Sequence, residues 1–259
     1  MESSAAQSAR EFEKRITDLD ITLFDAVVSQ SNAKDRRSWL AVQRATREAR
    51  DSFVYLEIGS YLGGSLQQYL QDPKCRRIYS IDNRTRDARH GDNSEHAMLE
   101  NLRRVEAGAM HKLVCFSTAA NGVPEDAVEE HPDICFIDGE HTNRAVLDDF
   151  AFCLRVSAPD ATFVFHDAGS TRPSIRECLR LLRRAGRTYV AYKLPGNSFV
   201  LALWGSPAGS DPRIRRMAVA VKGERWLWTS GLSRRARRRV PSALRPAFAA
   251  LRNRVWACG

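Results

Sequence analysis

Leu56-Glu57-Ile58-Gly59-Ser60-Tyr61-Leu62-Gly63-Gly64-Ser65 decides the reading of this chain. An apolar strand ends in an acid, a turn carries glycines, and a helix begins. Glycine lets the backbone come close to a ligand, and the first turn of a helix offers N–H groups with no partner of their own. The spacing is not Gly-x-Gly-x-x-Gly, and no Gly-Lys-Ser/Thr follows, so neither the dinucleotide fingerprint nor a P-loop is met. A β-to-α turn that needs glycine only for packing remains the plain alternative for this segment alone.

Outward from it, short β-rich runs alternate with helical stretches. Predicted strands are Phe53–Ile58, Arg77–Ile81, Lys112–Phe116, Ile134–Ile137, Thr162–Phe165, Thr188–Tyr192 and Ser198–Leu203. Predicted helices are Ser65–Leu70, Ser94–Ala107, Glu125–Glu130, Arg144–Ser157 and Pro173–Gly186. Such alternation predicts an α/β fold, a Rossmann-like, seven-stranded, mostly parallel sheet with helices on both faces. The last two strands are joined through Leu194-Pro195-Gly196-Asn197 with no helix between them, which predicts a C-terminal antiparallel hairpin. Two helices are expected ahead of the sheet, with Phe12, Ile16, Leu19, Leu23, Ala26 and Val27 at helical spacing in the first and a polar-rich stretch, Lys34–Arg50, as the second. Three regions are therefore expected: a helical extension over 1–50, the α/β domain over 51–205, and a basic amphipathic tail over 206–259 entered through a linker at 205–212.

The composition excludes several classes. Of 259 residues 43% are apolar, enough for a buried core and against global disorder. The longest apolar runs, such as Phe199–Trp204, fall far short of the roughly 18 residues that span a bilayer. Residues 1–10 lack the apolar centre of a secretory signal. Six cysteines (75, 115, 135, 153, 178, 258) form no Cys-x-x-Cys pair, against a disulfide scaffold or a structural zinc site. A soluble, cytoplasmic, reduced protein is expected. Residues 211–259 hold 13 Lys/Arg and two acids, a charge of +11, while the remaining 210 carry 27 basic and 29 acidic side chains, or −2. The basic character belongs to the tail, so the chain as a whole is not a basic nucleic-acid binder.

Three more positions carry chemistry. Asp82 ends the second strand, where a carboxylate can accept bonds from both ribose hydroxyls of a nucleoside. Phe136-Ile137-Asp138-Gly139-Glu140-His141 and Phe163-Val164-Phe165-His166-Asp167 each end a strand in a carboxylate beside an imidazole. Adjacent parallel strands bring Asp138 and Asp167 together at the carboxyl edge of the sheet, where open α/β folds bind ligands. Paired carboxylates repel unless they share a cation or a proton, and hard oxygen ligands favour Mg²⁺. His141 titrates near neutrality, as a general base should. The alternative is that Asp138 and Asp167 cap the following segments and His166 is a strand-end histidine.

Taken together, the segments 57–65, 80–82, 136–141 and 166–167 resemble class I S-adenosylmethionine-dependent methyltransferases, and more narrowly the branch of metal-dependent sugar O-methyltransferases of macrolide and glycan biosynthesis. The resemblance covers about residues 50–204. It implies that Glu57, Gly59, Ser60, Gly63, Gly64, Ser65, Asp82 and Asp138 hold S-adenosylmethionine, with Ser117 near the adenine. It further implies that Asp138, His166 and Asp167 hold Mg²⁺ and that His141 is the base. Where that branch has an acidic pair, this chain has His166-Asp167. The implied activity is methyl transfer to a hydroxyl of a sugar or polysaccharide, lipid-linked if the tail binds membrane. The rival readings are an RNA methyltransferase gripping phosphate through the arginines, and a non-catalytic ligand-binding partner of the same fold.

The tail combines Arg213/215/216 and Arg234/235/237/238/239 with Trp226, Trp228 and Trp256, and Val240–Val255 falls on one helical face broken at Pro246. A basic amphipathic helix with tryptophan suits an anionic membrane surface. Phosphate binding to nucleic acid, a homo-oligomer arm, or docking on its own domain are the other expectations. Arg84–Ser94 reads as a polar loop over the acceptor or a solvated connector.

Overall fold

A computed structural model describes residues 4–84, 94–219 and 223–229. Seven strands form one sheet: β1 Phe53–Ile58, β2 Cys75–Ile81, β3 Leu113–Phe116, β4 Ile134–Ile137, β5 Thr162–Phe165, β6 Tyr189–Lys193 and β7 Phe199–Leu203. Their order is β3-β2-β1-β4-β5-β7-β6, with β7 antiparallel to both β5 and β6 and every other pairing parallel. The Rossmann-like sheet and its antiparallel pair are thus as expected. The hairpin does not simply extend the edge, because β7 inserts between β5 and β6 and leaves β6 outermost. β1 is central, and all six of its residues are buried, as a strand covered on both faces requires.

Helices complete the crossovers: α3 Gln67–Gln71, α4 Glu95–Glu106, α5 Asn143–Val156 and α6 Arg172–Arg184, preceded by α1 Ser4–Thr17 and α2 Ala33–Ala49. Local chemistry starts them. Ser94 Oγ accepts from the Ala97 N–H, Thr142 Oγ1 from the Ala145 N–H, and Asn32 Oδ1 from the N–H groups of Lys34 and Asp35. Two buried clusters cover the sheet, one built on Phe150, Phe163, Phe165 and Phe199, the other on Phe24, Trp39, Leu40 and Phe53.

Several expectations differ from the structure. The helix expected at Glu125–Glu130 is a single 3-10 turn, Glu125–Ala127; the seven residues between Pro124 and Pro132 are too few to propagate a helix. The first predicted helix stops at Thr17, Leu19 takes φ +52°, and Ile21–Phe24 is a 3-10 turn capped by Asp20. Nevertheless Phe12, Ile16, Leu23 and Val27 are buried as their spacing suggests. The stretch read as a linker is helical: α7 Pro207–Ser210 and α8 Pro212–Met217 each begin on proline, and Ala208 and Ile214 are fully buried.

The described part of the basic tail docks on the domain. In α9, Glu224–Thr229, Leu227 is buried and Trp226 stacks on Phe199 with the Arg172 guanidinium 3.7 Å from its ring centroid. Arg213 is paired with Glu48 and Asp211. The clusters at 234–239, Trp256, the 240–255 face and most of the loop 84–94 lie outside the described residues. Among the described residues no helix is long and apolar enough to cross a membrane.

Candidate active site

The parallel ladder sets the site. The Gly59 N–H donates to Ile81 O, the Asp82 N–H to Phe116 O, the Asp138 N–H to Ile58 O and the His166 N–H to Ile137 O. Each bond is the last rung of its strand pair, so Gly59, Asp82, Asp138 and His166 lie in a row along the carboxyl edge. A cleft of about 610 Å³ opens above them.

Gly59 stands at φ +92°, and a Cβ there would lie 2.2 Å from the Asp138 carbonyl oxygen, so only glycine lets the tips of β1 and β4 close to this distance. Ser60 is buried, accepting from Ser80 Oγ at 2.7 Å, and the Tyr61 N–H donates to Asp82 Oδ2 at 2.7 Å. Asp82 thereby ties the glycine turn to β2 while lining the cleft with Gly59, Ser60, Gly64 and Ser65. Three of the expected nucleoside-binding residues sit elsewhere. Gly63 does not line the cleft; a Cβ on it would press on Leu102 and Met98 at 3.0–3.2 Å, so it serves the packing of α4. Glu57 is wholly buried beneath the turn, accepting from Tyr55 Oη at 2.6 Å and Ser65 Oγ at 2.5 Å. Burial pushes its carboxyl up to about 8 against the two hydroxyl donors. Ser117 Oγ donates to Glu95 Oε2 on the exposed surface, and the cleft wall after β3 is instead Thr118, Ala119 and Ala120.

At the other end of the row, His141 Nε2 lies 3.3 Å from Asp138 Oδ1 and 3.4 Å from Asp167 Oδ2. One donor atom from each of these three residues falls within 4.8 Å of the others. The bond to Asp138 raises the His141 pKa against a modest burial effect, and Asp167 adds to the rise. His166, expected among the metal ligands, is outside this set. Its Nδ1 bonds Asp138 Oδ1 at 2.9 Å and its Nε2 faces Asp35 Oδ2 at 3.6 Å. Burial alone would lower its pKa, but the two carboxylates carry it up to about 10. Buried, with each ring nitrogen turned to a carboxylate, His166 is held as the cation and has no lone pair to give a metal, whereas the more exposed His141 turns only Nε2 to its two carboxylates.

Asp35 was not among the residues singled out from the sequence. It sits in the first turn of α2, 1% exposed, and accepts from the Asn197 N–H at 2.6 Å and Ser198 Oγ at 3.2 Å. Its pKa is lowered: burial would raise it, and the bonds from His166 and Asn197 prevail. Trp39, one turn on, donates from Nε1 to Ser198 Oγ and meets the His166 ring edge-on at 5.2 Å. The extension ahead of the sheet therefore builds one wall of the cleft, where Ser29, Ser31 and Asn32 also face it. Asn197, from the β6–β7 turn, donates to Asp167 Oδ1. The sequence signal was available in Asn32-x-x-Asp35, a capping pattern in an otherwise polar stretch, and in the turn residue Asn197.

The sheet order and the strand-tip row can be set beside known proteins. A family model described as "Methyltransferase domain" matches residues 56–168, which begins in β1 and ends just beyond Asp167. Residues 56–168, a little under half of the chain, are thus similar to a methyltransferase domain. A curated relative, the uncharacterized protein R132 of Acanthamoeba polyphaga mimivirus, is 28% identical over 132 residues, 46% of this chain and 52% of the relative. The chain spans about half the length of that relative. Among solved structures, the O-methyltransferase TomG of Streptomyces achromogenes, involved in tomaymycin synthesis and in complex with S-adenosylmethionine, is 19% identical at a TM-score of 0.46 over 78% of this chain and 90% of its own. An O-methyltransferase from Bacillus cereus in complex with S-adenosylhomocysteine is 13% identical at 0.47, over 76% and 90%. The methyltransferase MycE of the mycinamycin pathway, in complex with Mg and S-adenosylhomocysteine, is 16% identical at 0.48, over 76% and 56%.

Proposed function

We propose that this chain is an S-adenosylmethionine-dependent O-methyltransferase acting on a hydroxyl of a sugar or polysaccharide. The observation that carries the reading is the acid–imidazole–acid cluster of Asp138, His141 and Asp167 in the same cleft as the glycine turn. The sulfonium methyl is already activated, whereas an alcohol is a poor nucleophile near pH 7, so the protein must align the two and help remove a proton. Alignment in one cleft is worth up to roughly 7–11 kcal/mol. Gly59, Ser60, Gly64 and Asp82 hold the nucleoside. Each Asp82 oxygen accepts one backbone N–H, from Tyr61 or Arg84, and retains capacity for a ribose hydroxyl. His141 takes the acceptor's proton, and Asp138 and Asp167 stabilise the imidazolium that results.

His166 acts on Asp138 rather than on the acceptor, fixing one carboxylate oxygen with an N–H that does not titrate away near neutrality. The polar mouth formed by Ser29, Ser31, Asn32, Glu140 and Asn197 suits a hydroxyl-rich acceptor. The carboxylates of Asp138 and Asp167, within reach of one point, also fit a divalent cation and are the residues that would hold it, with His141 kept as the base. When bound, such an ion supplies Lewis acidity that lowers the pKa of a hydroxyl.

The test is methyl transfer from labelled S-adenosylmethionine to nucleotide sugars, lipid-linked oligosaccharides, simple phenols and RNA, with and without EDTA. Label on a glycan hydroxyl supports the proposal. Label only on a nitrogen, a phenol or RNA contradicts it, and activity indifferent to EDTA contradicts the cation.

A further inference from the structure

The outer face of α6 and α9 plays no part in the chemistry above. α6 carries Arg172, Arg176, Arg180 and Arg184 at a spacing of four, so a row of arginines runs along one side of the helix. Like charges at this spacing repel and destabilise a helix. Across α6 and α9, arginines 172, 176, 180, 183, 184 and 225 meet only Glu177 and Glu224, a net charge of +4. Glu177 pairs with Arg180 at 3.0 Å and with Arg184 at 3.7 Å, and Glu224 pairs with Arg183. Both acids are thus engaged, and Arg180, Arg183 and Arg184 are still exposed. α9 lays an indole over the row. Its Trp226 packs on Phe199, with the Arg172 guanidinium and, at 5.2 Å, Lys193 Nζ against the ring, and Leu227 is buried. That anchor leaves Trp228 outward and 55% exposed, with the guanidinium carbons of Arg176 and Arg180 4.9 Å and 5.7 Å from its ring centroid. An outward tryptophan flanked by arginines has the amphipathic form of a group that sits between headgroups and acyl chains.

We infer that this α6–α9 face docks the chain on a bilayer surface rich in anionic phospholipid. The continuation of the sequence chooses lipid over nucleic acid, the other polyanion that would answer the charge. After α9 come the arginine cluster at 234–239 and then the apolar residues of 240–255 at helical spacing. Apolar residues beside a basic run add the burial that a membrane surface rewards, whereas phosphate contacts and base stacking make no use of an aliphatic face. The face begins at the carboxyl edge of the sheet, beside the cleft. Arg172 opens α6 shortly after Asp167, and Trp226 rests on Phe199, which pairs with Phe165 at the end of β5. The inference does not depend on the methyl-transfer reading, because charge and exposure alone carry it.

The experiment is flotation of the full chain with vesicles of phosphatidylcholine alone and of phosphatidylcholine mixed with phosphatidylglycerol, at low and at raised salt, beside filter binding of a single-stranded RNA. Wild type should bind the mixed vesicles at least about tenfold more tightly than the neutral ones, and salt should weaken that binding. Arg176→Gln/Arg180→Gln should lose roughly 25-fold on the mixed vesicles, about 1 kcal/mol for each arginine. The control Arg103→Gln/Arg104→Gln removes the same charge from α4, which leads into β3 at the edge of the sheet opposite β6. It should stay within about threefold of wild type, because a charge beyond a Debye length from the surface is screened. Trp228→Ala should lose about tenfold. Equal binding to the two kinds of vesicle, equal losses in the two double variants, or unchanged binding by a folded Trp228→Ala protein overturns the inference. So does RNA binding that is tighter than vesicle binding and is lost with Arg176 and Arg180. If Trp228→Ala does not fold, the two arginine pairs decide.

Discussion

Replacing Gly59 by alanine tests the geometry on which the site depends. Two separate penalties are readable from the structure. At φ +92° a residue with a Cβ is strained by about 1–3 kcal/mol. In addition, the new Cβ would sit 2.2 Å from the Asp138 carbonyl oxygen and 2.5 Å from its carbon. That obstacle is backbone, not the end of a flexible side chain, so β1 and β4 must separate at their tips; overpacking of this kind costs about 1–3 kcal/mol. Together they amount to about 2–6 kcal/mol, against a whole-domain stability of about 5–15 kcal/mol. Two other glycines separate the terms. Gly186 has φ +68° with open space around it, so Gly186→Ala carries strain alone, and Gly169 has neither a positive φ nor a neighbour within 4 Å. Urea denaturation should rank the variants Gly169→Ala within about 0.5 kcal/mol of wild type, Gly186→Ala lower by about 1 kcal/mol, and Gly59→Ala lower by at least twice that. Gly59→Ala should also weaken S-adenosylhomocysteine binding more than tenfold under conditions where it is folded. Equal destabilisation by Gly59→Ala and Gly186→Ala would show that the β1 and β4 tips are not in contact, and the reasoning fails.

Other outcomes follow from single residues. His141→Ala should lower turnover by about 10²–10⁴ while S-adenosylmethionine affinity stays within a few-fold; near-wild-type turnover refutes the base assignment. Glu57 keeps its proton in the folded state up to about pH 8, whereas the unfolded chain loses it near its ordinary value of 4.5. Folding stability attributable to it therefore declines as pH rises between those values, by about 1.4 kcal/mol per unit at most. Glu57→Gln should gain on wild type across that window in chemical denaturation, and parallel stability curves from pH 5 to 8 would contradict the buried, protonated carboxyl. Arg47 and Asp72 form a fully buried pair at 3.2 Å; Arg47→Met strands Asp72 and should cost about 3–5 kcal/mol. The same loss should not appear in Arg76→Met, whose partner Glu130 is on the surface.

How far the sequence could carry this account depends on what each residue leans on. Strand tips ending in Gly59, Asp82 and Asp138 were readable because apolar strands stop at a carboxylate or glycine, and parallel pairing then fixes their relative place. The position of β7 between β5 and β6 was not, since a short hairpin turn does not say which strand takes the inner place. Glu57 and Gly63 belong to the right segment but face inward, and alternation along a six-residue strand and a tight turn does not distinguish lining the cleft from supporting it. Ser117 was placed by its distance from β3 in sequence, while in space it turns to Glu95. Asp35 was hidden because it looks like a solvent-facing charge in a polar helix and becomes buried only through contacts far along the chain, with Asn197 and Ser198. His166 was read as a ligand because it occupies a ligand's place in sequence; its bond to Asp138 and its approach to Asp35 make it a fixed cation instead.

The most direct test is a crystal structure of the full chain with S-adenosylhomocysteine. The account predicts the ribose hydroxyls on Asp82 and the sulfur facing the Asp138–His141–Asp167 cluster. A nucleoside bound on another surface, or one in the cleft with its sulfur turned away from His141, would contradict it.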